Sequence, residues 1–139
     1  MALPARADCV ADQGSANLIE ADGVTVTCDD SDPDPYPDGV GSQGTDTNLT
    51  VNVEQNAAID APGVGVSLAD GGDLENQGDI TAVDAAVSVT DALGTAAVTI
   101  DNPGNLVSTD GSGINIAAGF EDATVDNAGS IDAATIGII

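Results

Sequence analysis

Apolar residues recur along this chain in two short phrases that follow one another. The first is seven residues long and occurs four times: Val53-Glu-Gln-Asn-Ala-Ala-Ile59, Leu74-Glu-Asn-Gln-Gly-Asp-Ile80, Ile100-Asp-Asn-Pro-Gly-Asn-Leu106 and Val125-Asp-Asn-Ala-Gly-Ser-Ile131. It reads apolar, acid, amide, any residue, Gly or Ala, any residue, aliphatic. The copies start 21, 26 and 25 residues apart. The second phrase alternates apolar with small or polar residues: Val64-Gly-Val-Ser-Leu68, Ala85-Ala-Val-Ser-Val89, Gly113-Ile-Asn-Ile116 and Ile136-Gly-Ile-Ile139. Period-2 alternation is the mark of a half-buried strand. No window carries apolar residues at helical spacing, so each repeat is expected to hold two or three short strands and no long helix.

A repeat of about 25 residues points to stacked coils, because one such unit cannot bury its apolar face alone. The expected fold is all-β: a parallel β-helix, or β-solenoid, of about four coils with aliphatic rows closing a shared core. Ile59, Ile80, Leu106 and Ile131 are expected to form one core column. Gln55, Asn76, Asn102 and Asn127 are expected to stack as a structural ladder of amides. Gly78, Gly104 and Gly129 follow two residues later, where the turn is expected to need positive φ. Ala57 stands there in the first copy, so that turn is expected to differ. The competing reading takes Asn-x-Gly as hairpin turns of a sandwich. Equivalent strands at this period suit coils better than hairpins spaced eight to twelve residues apart.

Before the repeats the chain changes in kind. Residues 1–7 contain Ala5-Arg-Ala7, the small-x-small form of a signal-peptidase site, without an apolar run before it. They read equally as the tail of a signal peptide or as a disordered terminus. Residues 8–47 hold both cysteines, the strand-like run Val24-Thr-Val-Thr27 and an acidic loop carrying Pro33, Pro35 and Pro37. They are expected to form a small N-terminal cap stapled by a Cys9–Cys28 disulfide, stabilising by about 3 kcal/mol on a loop-entropy model. The repeats occupy 48–139. Their last run, Ile136-Gly-Ile-Ile139, is expected to leave an open strand edge. Copies of the chain are then expected to associate end to end once salt screens their charge.

Composition narrows the chemistry. The chain has 24 acidic residues, one basic residue (Arg6) and no His, for a net charge of −23. Phosphate contacts need Lys or Arg, so nucleic acid is excluded as a partner class. A Ser-His-Asp triad has no base. Zinc would lack ligands, two thiols being too few. Asp30, Asp32 and Asp34 match the first ligand positions of an EF-hand loop. Pro35 stands where that loop needs Gly, and Gly41 where it needs Glu. At most a weak surface calcium contact is expected there. Asn48-Leu-Thr50 fits a glycosylation sequon, a pattern short enough to arise by chance. No segment has 18 consecutive apolar residues, so no transmembrane helix is expected.

On Ala5-Arg-Ala7, the Cys9–Cys28 head and the Asn-x-Gly-x-Ile coils, the chain resembles the N-terminal part of a type V autotransporter passenger. The likeness is to the outer-membrane adhesin and haemagglutinin-like group, over most of Asp8 to Ile139. The resemblance implies a right-handed β-helix, exported and displayed on a bacterial cell surface or released outside the cell. The chain departs from that pattern in having no C-terminal membrane barrel, and so reads as a fragment. The implied role is non-catalytic, in adhesion to a host-surface or extracellular ligand or as a structural stalk, with no cofactor. The enzymatic rival is a polysaccharide-degrading β-helix using paired carboxylates, with Asp79, Asp101 and Asp126 as candidates by position.

Overall fold

The computed structural model describes residues 8–31, 35–41, 48–90, 97–117 and 122–139. Ala5-Arg-Ala7, Asp32 and Asp34 lie outside them. The described residues contain thirteen short strands and no helix. β1 (Asp8–Ala11) and β2 (Thr25–Asp29) come first. One coil follows with β3 (Leu49–Val53), β4 (Ala58–Ala61) and β5 (Val66–Ala69). The second has β6 (Gly72–Asn76), β7 (Asp79–Ala82) and β8 (Val87–Thr90), and the third β9 (Ala97–Asp101), β10 (Asn105–Ser108) and β11 (Ile114–Ile116). β12 (Asp122–Asp126), β13 (Ser130–Ala133) and a bridge at Ile138 complete the fourth.

Equivalent strands stack into three sheets in the orders β1-β2-β3-β6-β9-β12, β13-β10-β7-β4 and β11-β8-β5. Every strand pair is parallel except β1 with β2. The fold is thus a β-solenoid of about four turns. β2 pairs in parallel with β3, so a strand from the stretch before residue 48 lies in the solenoid wall. Tyr36 bridges to Ile59 and Val40 to Val66, which sketches an incomplete coil above the first full one.

The alternation seen in the sequence becomes burial. In β3, Leu49, Val51 and Val53 point inward while Thr50 and Asn52 are half-exposed. Pairing in register then turns each inward position into a column. Val26, Val51, Leu74, Ile100 and Val125 form one. Ile59, Ile80, Leu106 and Ile131 are consecutive partners in another. Val66, Val87 and Ile114 line the third sheet. Full burial of such a side chain is worth about 1.5–3 kcal/mol, and in the last coil Val125 and Ile131 are only half-buried. Because the pieces are all small aliphatics, the core stays thin enough for one side chain to meet its counterparts from the other sheets.

The glycines of the first phrase serve a different purpose from the one expected. Gly78, Gly104 and Gly129 are not among the residues with positive φ. They are small because the coils touch there backbone to backbone. A Cβ on Gly78 would run into the Ala57 carbonyl, one on Gly104 into the Gly78 carbonyl, and one on Gly129 into the Gly104 carbonyl. The positive-φ turn is in the first coil instead, at Asn56 (φ 70°), where Ala57 N–H closes a tight turn on Glu54 C=O at 3.0 Å.

This contrast sets a test. Gly104→Ala forces backbone against backbone and is expected to cost about 1–3 kcal/mol, the range for overpacking a close contact. Gly137→Ala meets nothing nearer than Ile131 Cγ2 at 3.7 Å and is expected to be within about 0.5 kcal/mol of the parent. Urea unfolding midpoints of the two variants measure the difference.

Candidate functional site

The corner between the first and second sheets carries the two amide side chains that the fold buries, Asn76 and Asn102, while Ser108 and Ser112 are buried between the second and third sheets. Asn76 and Asn102 are fully buried, and Asn76 Nδ2 donates to Asn102 Oδ1 at 2.7 Å. Asn102 Nδ2 donates in turn to Asn127 Oδ1 at 2.6 Å. Each amide also reaches a backbone carbonyl of the next coil: Asn76 that of Asn105 at 3.3 Å, and Asn102 that of Ser130 at 3.5 Å. The amides hold the chain at the point where it turns from one sheet into the next.

Gln55 does not join them. Leu49 pairs with Gly72, 23 residues on, whereas Ala58 pairs with Asp79, 21 residues on. The first coil therefore has two extra residues at this corner, and they push Gln55 out into an exposed turn. Val53 stacks on Asn76 in its place, and Cys28 stacks on Val53. The column thus runs Cys28, Val53, Asn76, Asn102, Asn127. Val53 has no donor to offer, so the ladder stops at Asn76. Its Oδ1 is buried without a hydrogen-bond partner, a cost that falls in the range of about 1–3 kcal/mol.

At the head of the column Cys9 and Cys28 are cross-strand partners joined by a disulfide, with an S–S distance of 2.05 Å. Such bonds persist in oxidising surroundings, so the bridge hints at an extracytoplasmic setting.

The outer faces are rows of polar residues. On the first sheet Glu75, Asp101 and Asp126 are register partners, exposed, on neighbouring rungs about 4.8 Å apart. Asp79 lies on the second sheet, where its carboxylate accepts from Asn105 Nδ2 at 2.6 Å and Asn105 Oδ1 accepts from Ser130 Oγ at 2.6 Å. The structure brings Asp101 and Asp126 together and places Asp79 around the corner from them. Beside the acidic row, Thr27, Asn52, Val53, Glu54, Glu75 and Gln77 line a shallow polar groove, in which Gln77 Nε2 donates to Glu75 Oε1 at 2.5 Å. Among the described residues no group of three or more His, Cys, Asp or Glu is placed to hold a metal ion. Asp30, from the EF-hand-like run, is exposed. No helix among them is long and apolar enough to cross a membrane.

Tyr36 is half-buried against the head of the solenoid. Burial, then the carboxylates of Asp38 and Asp8, push its phenol above the ordinary value of 10. Asp29 is held below the usual carboxylate range by the hydroxyl and backbone N–H of Ser31, both donating to Oδ1.

No protein-family model matches the chain, and neither does a curated protein or a solved structure.

Two outcomes follow from this geometry. Asn102→Ala removes the shorter of the two hydrogen bonds of Asn76 Nδ2 inside the core and is expected to lower stability by about 2–3 kcal/mol, while Asn127→Ala, at an exposed position, is expected to cost under about 1 kcal/mol. Denaturant titration of both variants checks the order. Tyr36 is the only tyrosine, so absorbance reads it alone. Its midpoint is expected above 10 and to fall when salt screens Asp38 and Asp8. The fold favours the neutral phenol, so this group's contribution to stability is complete below pH 10 and lost as pH rises through the higher folded value.

Proposed function

We propose that the chain is a non-catalytic stalk segment of an exported, surface-displayed passenger, of the adhesin-like kind that its coils and cysteine head resemble. The observation that carries this reading is the in-register parallel stacking of the coils. Each coil locks to the next through backbone ladders and aliphatic columns, and from the second coil onward through the Asn76–Asn102–Asn127 bonds. A body built this way is stiff along one axis and grows in length by repetition. That is the mechanical requirement of an element that holds something at a distance from a cell. The disulfide supports placement outside the cytoplasm, and the excess of acid keeps such a surface hydrated and resistant to nonspecific association.

The enzymatic alternative draws on Asp101 and Asp126, adjacent on one wall. A glycosidase needs one carboxyl group kept protonated by its surroundings, while these two are both exposed to water.

Antibody raised against the chain is expected to label intact cells of the source organism, with the epitope removed by added protease. Labelling only after lysis would refute the surface reading. Incubated with acidic and neutral polysaccharides, the chain is expected to release no reducing ends above buffer. Release that Asp101→Asn abolishes would establish an enzyme instead.

A further inference from the structure

We infer that the Cys9–Cys28 disulfide is a redox-releasable latch: it holds β1 on the edge of the first sheet, and its reduction frees β1 while the solenoid stays folded. The inference rests on the head of the solenoid and is independent of the function proposed above.

β1 is poorly held by everything except the bond. It is four residues long, pairs on one side only, and is the antiparallel exception in a parallel fold. Cys9 is its single buried side chain. Val10 is 55% exposed, so the one large aliphatic of the strand faces water. Asp8 stands directly across from Asp29, and like charges opposite one another destabilise a strand pair. The protein has no Lys, and Arg6 is its sole basic side chain.

Release has a defined stopping point. Asp12 N–H donates to Thr25 C=O at 2.9 Å, and Asp12 Oδ1 accepts from Thr25 N–H at 3.1 Å. Beyond it Ile19 and Val24 are fully buried, and Ala16 C=O accepts from Gly41 N–H at 2.7 Å. The segment after β1 is therefore anchored by its own contacts. β2 is anchored on its other side by β3, with Val26 stacked on Val51 and Cys28 C=O accepting from Glu54 N–H at 2.9 Å. Nothing in that set depends on β1.

The reductant is a dithiol. Its thiolate attacks Cys9 Sγ, Cys9 being the less buried residue of the two at 6% exposure against 0% for Cys28. The S–S bond breaks, Cys28 leaves as a thiolate and takes up a proton, and a mixed disulfide forms on Cys9. The second thiol of the reductant closes on the first, expelling Cys9 as a thiolate that is protonated in turn. Two electrons and two protons pass to the protein, and the reductant leaves as a cyclic disulfide. The product is a solenoid whose β2 edge, covered in the oxidised form, presents unpaired backbone groups.

Hydrogen exchange on the full chain, with and without dithiothreitol, tests the latch once thiol titration shows two free thiols per chain. Amides of Val10 and Thr27, which face each other at a hydrogen-bonded position of the β1–β2 pair, are expected to exchange at least tenfold faster after reduction, with those of β6 and β9 unchanged. The Cys9→Ser/Cys28→Ser double variant, without reductant, is expected to show the same pattern. Unchanged protection of β1 in the reduced chain would overturn the inference, because the strand would then hold without the bond. Loss of protection spreading through β6 and β9, or a double variant that does not fold, would overturn it equally, because the bond would then staple the whole fold.

Discussion

Parallel pairing in register is the constraint from which the rest follows. It sets each residue directly on its counterpart one coil away, so every side chain must tolerate a near copy of itself about 4.8 Å distant. Aliphatic residues meet that demand with dispersion and burial, which is why Ile59, Ile80, Leu106 and Ile131 stack as a column. Primary amides meet it because each carries both a donor and an acceptor. Carboxylates do not, and the acids of this chain show how that is managed. Asp73 lies between Thr50 and Thr99, and Asp60 beside Thr81. Asp79 is followed by Asn105 and then Ser130, which convert a would-be repulsion into hydrogen bonds. Among the described strand residues, only the row of Glu75, Asp101 and Asp126 sets acid on acid through successive coils, and it does so in the open, where water and salt screen it.

The corner column shows the same rule at work on a change of chemistry. Its upper part is a covalent bond and a valine; its lower part is amides. Each solves the problem of turning the backbone with its polar groups inside, and the two solutions meet badly. Where Val53 lies over Asn76 an oxygen is left without a partner. The junction falls where the first coil has its longer turn, so a change in length and a change in chemistry coincide.

Much of this was legible in the residues. The spacing of Ile59, Ile80, Leu106 and Ile131 gave the period, and alternation in runs such as Val66-Ser-Leu68 gave the strands. The Gln55 expectation failed because matching phrases by appearance counts residues, while stacking counts rungs. Two residues looped out between Val53 and Ile59 leave the phrase recognisable and move its first half off register. The glycines were misread for a related reason. A sequence shows that Gly104 has no side chain, but not that Gly78 lies against it. The strand at Val24-Thr-Val-Thr27 was visible, but its place in the solenoid wall was hidden because the run is followed by no second phrase, only by single bridging residues at Tyr36 and Val40. The exposed rows, where function would act, are built from Asp, Asn, Ser and Thr that occur throughout the chain, and only the register sorts them into faces.

The amide ladder has a sense of direction, since Asn76 gives to Asn102 and Asn102 to Asn127. That sense governs how such a gene can lengthen. A duplicated coil inserted between the second and third would find an acceptor below it and a donor above, and would slot in as a finished part. The same duplication placed between the first and second would donate to Asn76 Oδ1 and leave its own oxygen under Val53, so the number of unpartnered oxygens would stay at one. The rod can thus lengthen at either junction without adding to its defects, and its single unpartnered oxygen always sits in whichever amide coil lies next to Val53.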